Sequence, residues 1–192
     1  MKTKRRHDPN RRERIIEAAL EVMAREGISG ASQRKIAVMA DVPLGSMTYH
    51  FAGTDEVLHE ALTLFAAKSQ ERFERRVREA ATGDDARRAA VEMVLEDSGS
   101  RMNMSVLSVE LCALAARKPA FRSLARDWMT KRRTAFERHF GPVIAGQLDA
   151  LVHGLSIHRA LGPGEYGRGL ITDAVNKILA DPCEPSLAKA GK

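Results

Sequence analysis

Residues Ser32-Gln-Arg-Lys-Ile-Ala-Val-Met-Ala-Asp-Val-Pro-Leu-Gly-Ser-Met-Thr-Tyr-His-Phe51 read as two short helices joined by a tight turn. Ile36, Ala37 and Ala40 fall at helical spacing, Asp41-Val42-Pro43 interrupts, and Met47 and Phe51 resume an apolar face four residues apart. Pro43 cannot continue a helix but is tolerated where a new one starts, because its missing donor would have no partner there. Asp41 falls where the chain needs a left-handed residue, a conformation Asp accepts better than most non-glycine residues. Val42 is expected as the buried plug, and small Ala37 lets the second helix cross closely over the first. Leu44, Gly45, Ser46, Thr48, Tyr49 and His50 are left as the solvent side of that second helix, the side a major groove would receive. Two helices and a turn also occur in proteins that never touch nucleic acid, so charge placement matters.

Working outward, residues 1–53 hold ten Lys or Arg against six Asp or Glu, which places most of the formal +6 in the first quarter of the chain. Lys2, Lys4, Arg5 and Arg6, with His7, have no apolar neighbour after Met1 to anchor them, so residues 1–7 are expected as a flexible basic arm able to neutralise phosphates. A solvated tail is the alternative. Asp8 as N-cap and Pro9 at the first helical position open a helix whose apolar face is Ile15, Ile16, Ala19, Leu20, Val22 and Met23, stopped by Gly27. Ser32 is expected to cap the second helix, with its N–H groups facing a phosphate.

The residues Ile15-Ile16-Glu-Ala-Ala-Leu, Gly27, Ser32, Ile36-Ala37, Ala40-Asp-Val42, Gly45-Ser46-Met47-Thr-Tyr-His-Phe51 and Glu56-Val-Leu58 resemble, in order and spacing, the DNA-binding domain of TetR-family regulators over roughly residues 8–62. That resemblance implies an all-α fold: a three-helix, helix-turn-helix head at 8–53, a larger helical ligand-binding and dimerisation domain at 54–181, and a loose tail at 182–192. It implies a homodimeric repressor released from a palindromic DNA operator by a small molecule, with no cofactor. It also implies that Gln33 and Arg34 approach DNA, that Arg34 reads a guanine edge, and that Leu44, Gly45 and Ser46 face bases, with Tyr49 and His50 near the backbone. Arg5, Arg6, Ser32, Lys35, Thr48 and Thr54 complete the expected DNA-binding set. Three departures matter: Thr48 stands where the family usually has Tyr, Thr54 where it usually has Lys, and Pro43 where a hydroxyl commonly caps the recognition helix. The backbone clamp is then expected to be either weaker or redistributed to Thr48, Thr54 and the arm.

The rest of the chain sets limits. A length of 192 residues with 44% hydrophobic content suits one or two small domains. No apolar run is long enough to span a bilayer and no signal-like segment opens the chain, so a cytoplasmic location is expected. Cys112 and Cys183 lack metal spacing and read as ordinary thiols, a redox-sensing role being the alternative. Beyond Gly53 the pattern is helical: Thr54, as a cap, to about Ala80; Ala86 to Leu95; a loop from Asp97 to Met104; Ser105 to Ala116; and Ala120 to Phe140 before Gly141-Pro142. Met93, Met102, Met104, Leu107, Leu111, Leu114, Phe121, Leu124, Trp128 and Phe136 are candidates to line a ligand pocket, although most such residues are core. Arg132 lies four residues from both Trp128 and Phe136 within an apolar seam, so it wants a partner. Glu110 or an anionic ligand group would serve, and an ordinary ion pair or a snorkelling stem is the simpler reading.

Gly146, Ala150 and Gly154 recur every four residues beside Leu148, Leu151 and Leu155. With Leu170, Ala174 and Ile178 of the last helix they are expected to form a four-helix dimer interface, the alternative being packing within one subunit. His153 and His158 share no face well enough for a metal site. The chain has no nucleophile elbow, phosphate-cradling glycine loop, HExxH pair or carboxylate constellation, which argues against an enzyme. A non-specific nucleic-acid or interaction protein using only the arm is the remaining alternative.

Overall fold

Helix α1 (Arg11–Gly30) buries Ile15, Ile16, Ala19, Leu20, Val22 and Met23, the stripe its spacing demands. In the computed structural model, which describes residues 9–97, 104–162 and 164–180, α1 is followed by α2 (Gln33–Met39), α3 (Gly45–His50), α4 (Thr54–Glu79), α5 (Gly83–Asp97), α6 (Met104–Arg117), a 3-10 turn (Pro119–Phe121), α7 (Arg122–Phe136), α8 (Pro142–Leu161) and α9 (Arg168–Ala180). No strand occurs among the described residues. The all-α expectation therefore holds.

Packing divides the chain into two units. Met1–Ser69 with Arg101–Ala125 form the first, and Gln70–Ser100 with Arg126–Lys192 form the second; α4 and α7 contribute to both. The first unit has its core in Ile15, Leu20, Met23, Ile36, Met47, Phe51, Leu62, Phe65, Leu107, Leu111 and Phe121, each no more than 3% exposed. The second unit is built on Phe73, Val77, Val94, Phe136, Leu148, Val152, Leu155, Ile171 and Val175, with the Phe73 and Phe136 rings edge to face at 5.0 Å.

Several local expectations change. Asp8 lies outside the described residues and Pro9 sits in a turn. The helix starts at Arg11 behind Asn10, whose side chain makes no capping bond. Gly27 does break α1, with φ 76° and ψ 170°, but the chain turns back into helix as far as Gly30. That backbone region is open only to glycine. The site is sealed from outside the helix: Glu110 on α6 accepts a hydrogen bond from the Ile28 N–H, and its Oε1 would lie 2.7 Å from a Cβ at position 27.

Thr54 is the first residue of α4 rather than its cap. Its hydroxyl accepts a bond from Gln33, while Glu56 reaches back to the Ala52 N–H at 2.6 Å. Helix α5 starts earlier than expected because Thr82 and Asp85 form a reciprocal capping box, the Asp85 N–H donating to Thr82 Oγ1 at 3.1 Å and the Thr82 N–H to Asp85 Oδ2 at 3.0 Å. The long helix expected from Ala120 to Phe140 is a 3-10 turn and α7, ending at Phe136. Among the described residues no helix is long and apolar enough to cross a membrane, and no group of three or more His, Cys, Asp or Glu is placed to hold a metal.

Candidate nucleic-acid interface

The turn between α2 and α3 is fixed by its backbone. Asp41 adopts φ 52°, the left-handed conformation expected of it. Its N–H donates to Val38 O at 3.2 Å, and the Val42 N–H donates to Ala37 O at 3.0 Å. Arg14 of α1 ties the same turn down by donating to Ala40 O at 2.7 Å and to Asp41 O at 3.1 Å. The Ala37, Val38, Ala40 and Asp41 carbonyls are thereby satisfied, as a tight turn between short helices favours. Val42 is half-buried rather than a fully enclosed plug. Ser32 caps α2 as expected, accepting from the Lys35 N–H at 3.3 Å.

Helix α3 turns Met47 and Phe51 inward and leaves Leu44, Gly45, Thr48 and Tyr49 exposed, Leu44 at 53% and Tyr49 at 83%. Ser46 is a correction. It is 8% exposed, because positions 46, 47, 50 and 51 make up the inner face of so short a helix, so its hydroxyl is not available to a base. His50 is half-buried, with its ring edge-on to Tyr49 at 4.9 Å. The Thr48 hydroxyl donates to Gly45 O at 3.2 Å, so its hydrogen is committed within the protein. A Cβ added at Gly45 would meet nothing within 4 Å, so no packing inside the protein calls for a glycine there.

On α2, Arg34 is exposed and carries no ion pair among the described residues. Lys35, grouped with it from the sequence, is paired with Glu26, an exposed pair of the kind worth under about 1 kcal/mol. Gln33 Nε2 donates to Thr54 Oγ1 at 3.3 Å, linking the front of α2 to the start of α4. Arg5 and Arg6 lie outside the described residues.

Two further arginines escaped the sequence reading. Besides Arg14, Arg12 forms a two-pronged pair with Glu60 at 2.9 and 3.2 Å and lies over the Phe51 ring at 5.0 Å. The hydrogen bond to Arg12 holds the Glu60 carboxyl below its ordinary range, against the opposing effect of burial. Both arginines counted as positive charge near DNA, yet they hold the head together. The signal that finds them is their position on the same α1 turn as buried Ile15 and Ile16.

The candidate pocket residues fall in both units. Leu107, Leu111 and Phe121 are buried in the first unit with Met104, while Leu114 and Leu124 are half-buried there. Met93, Trp128, Arg132 and Phe136 are buried in the second unit, and Met102 lies outside the described residues. Glu110 serves the α1 kink. The partner of Arg132 is Asp149 of α8 at 2.8 Å, with the Phe73 and Trp128 rings 4.8 and 5.0 Å from the guanidinium. Trp128 also meets His153 edge-on at 5.5 Å.

Of the residues expected at a dimer interface, Leu148 and Leu155 are instead core of the second unit, at 0% and 8% exposure, and Gly146 lies against Arg133, whose Cδ would be 3.6 Å from a Cβ there. The 3.6-residue period turns one face of α8 inward, and these positions fall on or beside it. Ala150 and Leu170 are exposed, and Leu151, Gly154, Ala174 and Ile178 are half-buried.

Residues 15–61 match the family described as bacterial regulatory proteins, tetR family. Over longer spans the chain is 45% identical to SCO7518 of Streptomyces coelicolor A3(2), covering 90% of this chain and 100% of that one with a TM-score of 0.81. It is 31% identical to SCO1917 of the same organism, a member of the TetR family, covering 88% and 98% with a TM-score of 0.69. The multidrug binding protein EbrR, solved with ethidium, is 30% identical, covering 88% and 98% with a TM-score of 0.72. The helix-turn-helix geometry of the first unit and these likenesses along nearly the whole chain lead to one conclusion: the protein is a transcriptional regulator of the TetR family.

Proposed function

We propose that the protein is a homodimeric repressor that binds a two-fold operator and leaves it when a small molecule binds. The observation that carries this reading is that Leu44, Gly45, Thr48 and Tyr49 of the helix-turn-helix are exposed, and that Arg34 is exposed without an ion pair among the described residues, whereas Arg12, Arg14 and Lys35 are engaged within the protein. On this reading residues 8–53 bind DNA and residues 54–181 bind the effector and the second subunit, in the bacterial cytoplasm where the chromosome lies. A single short recognition helix spans few base pairs, so specificity calls for two copies reading half-sites one or more turns apart, about 34 Å per turn. Arg34 reads a guanine edge, and the basic arm at 1–7 adds salt-dependent affinity. Support for an effector comes from EbrR, a multidrug binding protein solved with imidazole, proflavin, ethidium and malachite green. To switch occupancy decisively the effector must favour the released state by several kcal/mol, on the order of 5.

The test is binding to fragments of the chromosome that encodes the protein, at two salt concentrations and against random duplex. The proposal expects discrete preferred fragments, a sedimentation mass of two chains, and loss of about 1–3 kcal/mol with relaxed preference in Arg34→Ala. A lone subunit that binds all duplexes alike would overturn it.

A further inference from the structure

The outward face of α3 is unusual for a surface meant to read DNA. Its residues are Leu44, Gly45, Thr48 and Tyr49, with no guanidinium, ammonium, amide or carboxylate among them. From the major groove a hydroxyl can serve several base edges, whereas the pairings that single out guanine, adenine or cytosine use Arg or Lys, Asn or Gln, and Asp or Glu respectively. None can be made from this face. The Thr48 hydroxyl spends its hydrogen on Gly45 O at 3.2 Å, so this exposed side chain has its γ-methyl and an acceptor oxygen left to offer. Leu44 is 53% exposed at the leading end of the helix, and a Cβ added at Gly45 would meet nothing within 4 Å. Apart from the Tyr49 phenol and the Thr48 oxygen the face is apolar and it carries no charge, while Arg34 on α2 of the same unit is an exposed cation, whose charge suits a polyanion rather than an apolar protein partner.

Among the groups that base edges present in the major groove, one is apolar: the C5-methyl of thymine. We propose that α3 reads thymine methyl groups through Leu44 and the Thr48 methyl, with Gly45 allowing the backbone to approach the edges closely enough for those short side chains to reach. This deepens the repressor reading and rests on it. Operator half-sites then carry thymine at the positions under α3, and guanine recognition falls to Arg34 outside that helix.

The probe is a duplex selected by the full-length protein from a pool of random sequence, then remade with each thymine replaced in turn by deoxyuridine, which keeps every hydrogen-bonding group and removes only the methyl. Affinities are read by filter binding. Wild-type protein should lose about fourfold at one or more thymines of each half-site, the worth of withdrawing one methyl-sized group from contact. Thr48→Ser keeps the hydroxyl and its bond to Gly45 O, and Leu44→Ala truncates a side chain outside the core. Each should bind thymine and deoxyuridine duplexes equally at the position it touches, with circular dichroism confirming an unchanged helix content. Arg34→Ala should weaken binding to both duplexes and keep their ratio. Indifference of the wild-type protein to every deoxyuridine, or a ratio unchanged in both α3 variants, overturns the thymine proposal while leaving the repressor reading intact. A random pool that yields no enriched sequence overturns both.

Discussion

Replacing Gly27 by alanine tests the joint between α1 and α6 with a cost that can be worked from two separate sources. The first is the backbone: at φ 76° and ψ 170° an L side chain is strained, at about 1–3 kcal/mol. The second is steric and electrostatic. The new Cβ would stand 2.7 Å from Glu110 Oε1, closer than real Cβ contacts come, so the carboxylate must swing away. Its bond from the Ile28 N–H then goes with it, and a bond to a charged acceptor contributes about 1.5–3 kcal/mol. Glu110 is half-buried and water recovers part of that, so a total near 2–4 kcal/mol is expected. Urea unfolding at one fixed protein concentration measures it, since association would otherwise change the apparent stability. In a Glu110→Ala background the second source is already gone, and Gly27→Ala should cost only about 1–3 kcal/mol. The double-mutant cycle thus isolates the glycine–carboxylate contact as the difference. An equal cost in both backgrounds would refute the contact, and a total below about 0.5 kcal/mol, the range of an ordinary surface substitution, would refute the requirement for glycine altogether.

Other expectations are as specific. Arg132→Met leaves Asp149, whose side chain is 15% exposed, without its cation in the second unit, and should cost about 3–5 kcal/mol in urea unfolding, much of which Arg132→Met with Asp149→Leu should recover. Burial, then the nearby Arg132, push the His153 pKa below its ordinary 6.5 against the weaker opposing pull of Asp149. The unfolded chain therefore binds a proton at His153 more readily than the folded chain, and stability falls as pH drops below 6.5 toward the depressed value. His153→Gln should flatten that segment of the stability–pH curve, and an unchanged curve would exclude the residue. Gly45→Ala should leave folding stability unchanged or raise it by up to about 1 kcal/mol, yet weaken binding to a selected duplex. A variant that binds as well as wild type would mean that the backbone does not approach the bases there. Leu170→Glu, on the exposed side of α9, should lower the sedimentation mass from two chains toward one, and an unchanged mass would place the interface elsewhere.

The parts of the fold written in short-range chemistry are legible in the sequence. Asp41 and Ser32 announce their turn and cap by residue type, and the core of the head follows from the spacing of Ile36, Met47 and Phe51. Interactions that join distant parts of the chain are not. Nothing local to Arg132 points to Asp149, seventeen positions on in another helix, although its place in the apolar seam beside Trp128 does announce that it wants a partner. Charge alone suggests Glu110 as the mate of Arg132, whereas its partner is the Ile28 N–H made available by the kink at Gly27. Ser46 was misplaced because six residues give less than two turns, so one position on either side of the apolar pair decides what counts as inner face. The dimer stripe failed at Leu148 and Leu155 for a related reason: a helix apolar on several sides does not reveal from its spacing which side its own subunit claims.

The pairing of Trp128 with Arg132 and His153 gives the molecule an optical reporter. Trp128 is the only indole in the chain and it belongs wholly to the second unit, so its emission follows that unit's unfolding and no other. Far-ultraviolet dichroism sums over the helices of both units. If the two signals are followed through one denaturant titration of the unmodified protein, superimposed curves mean that the units melt as one cooperative body, and separated curves mean that each carries its own midpoint.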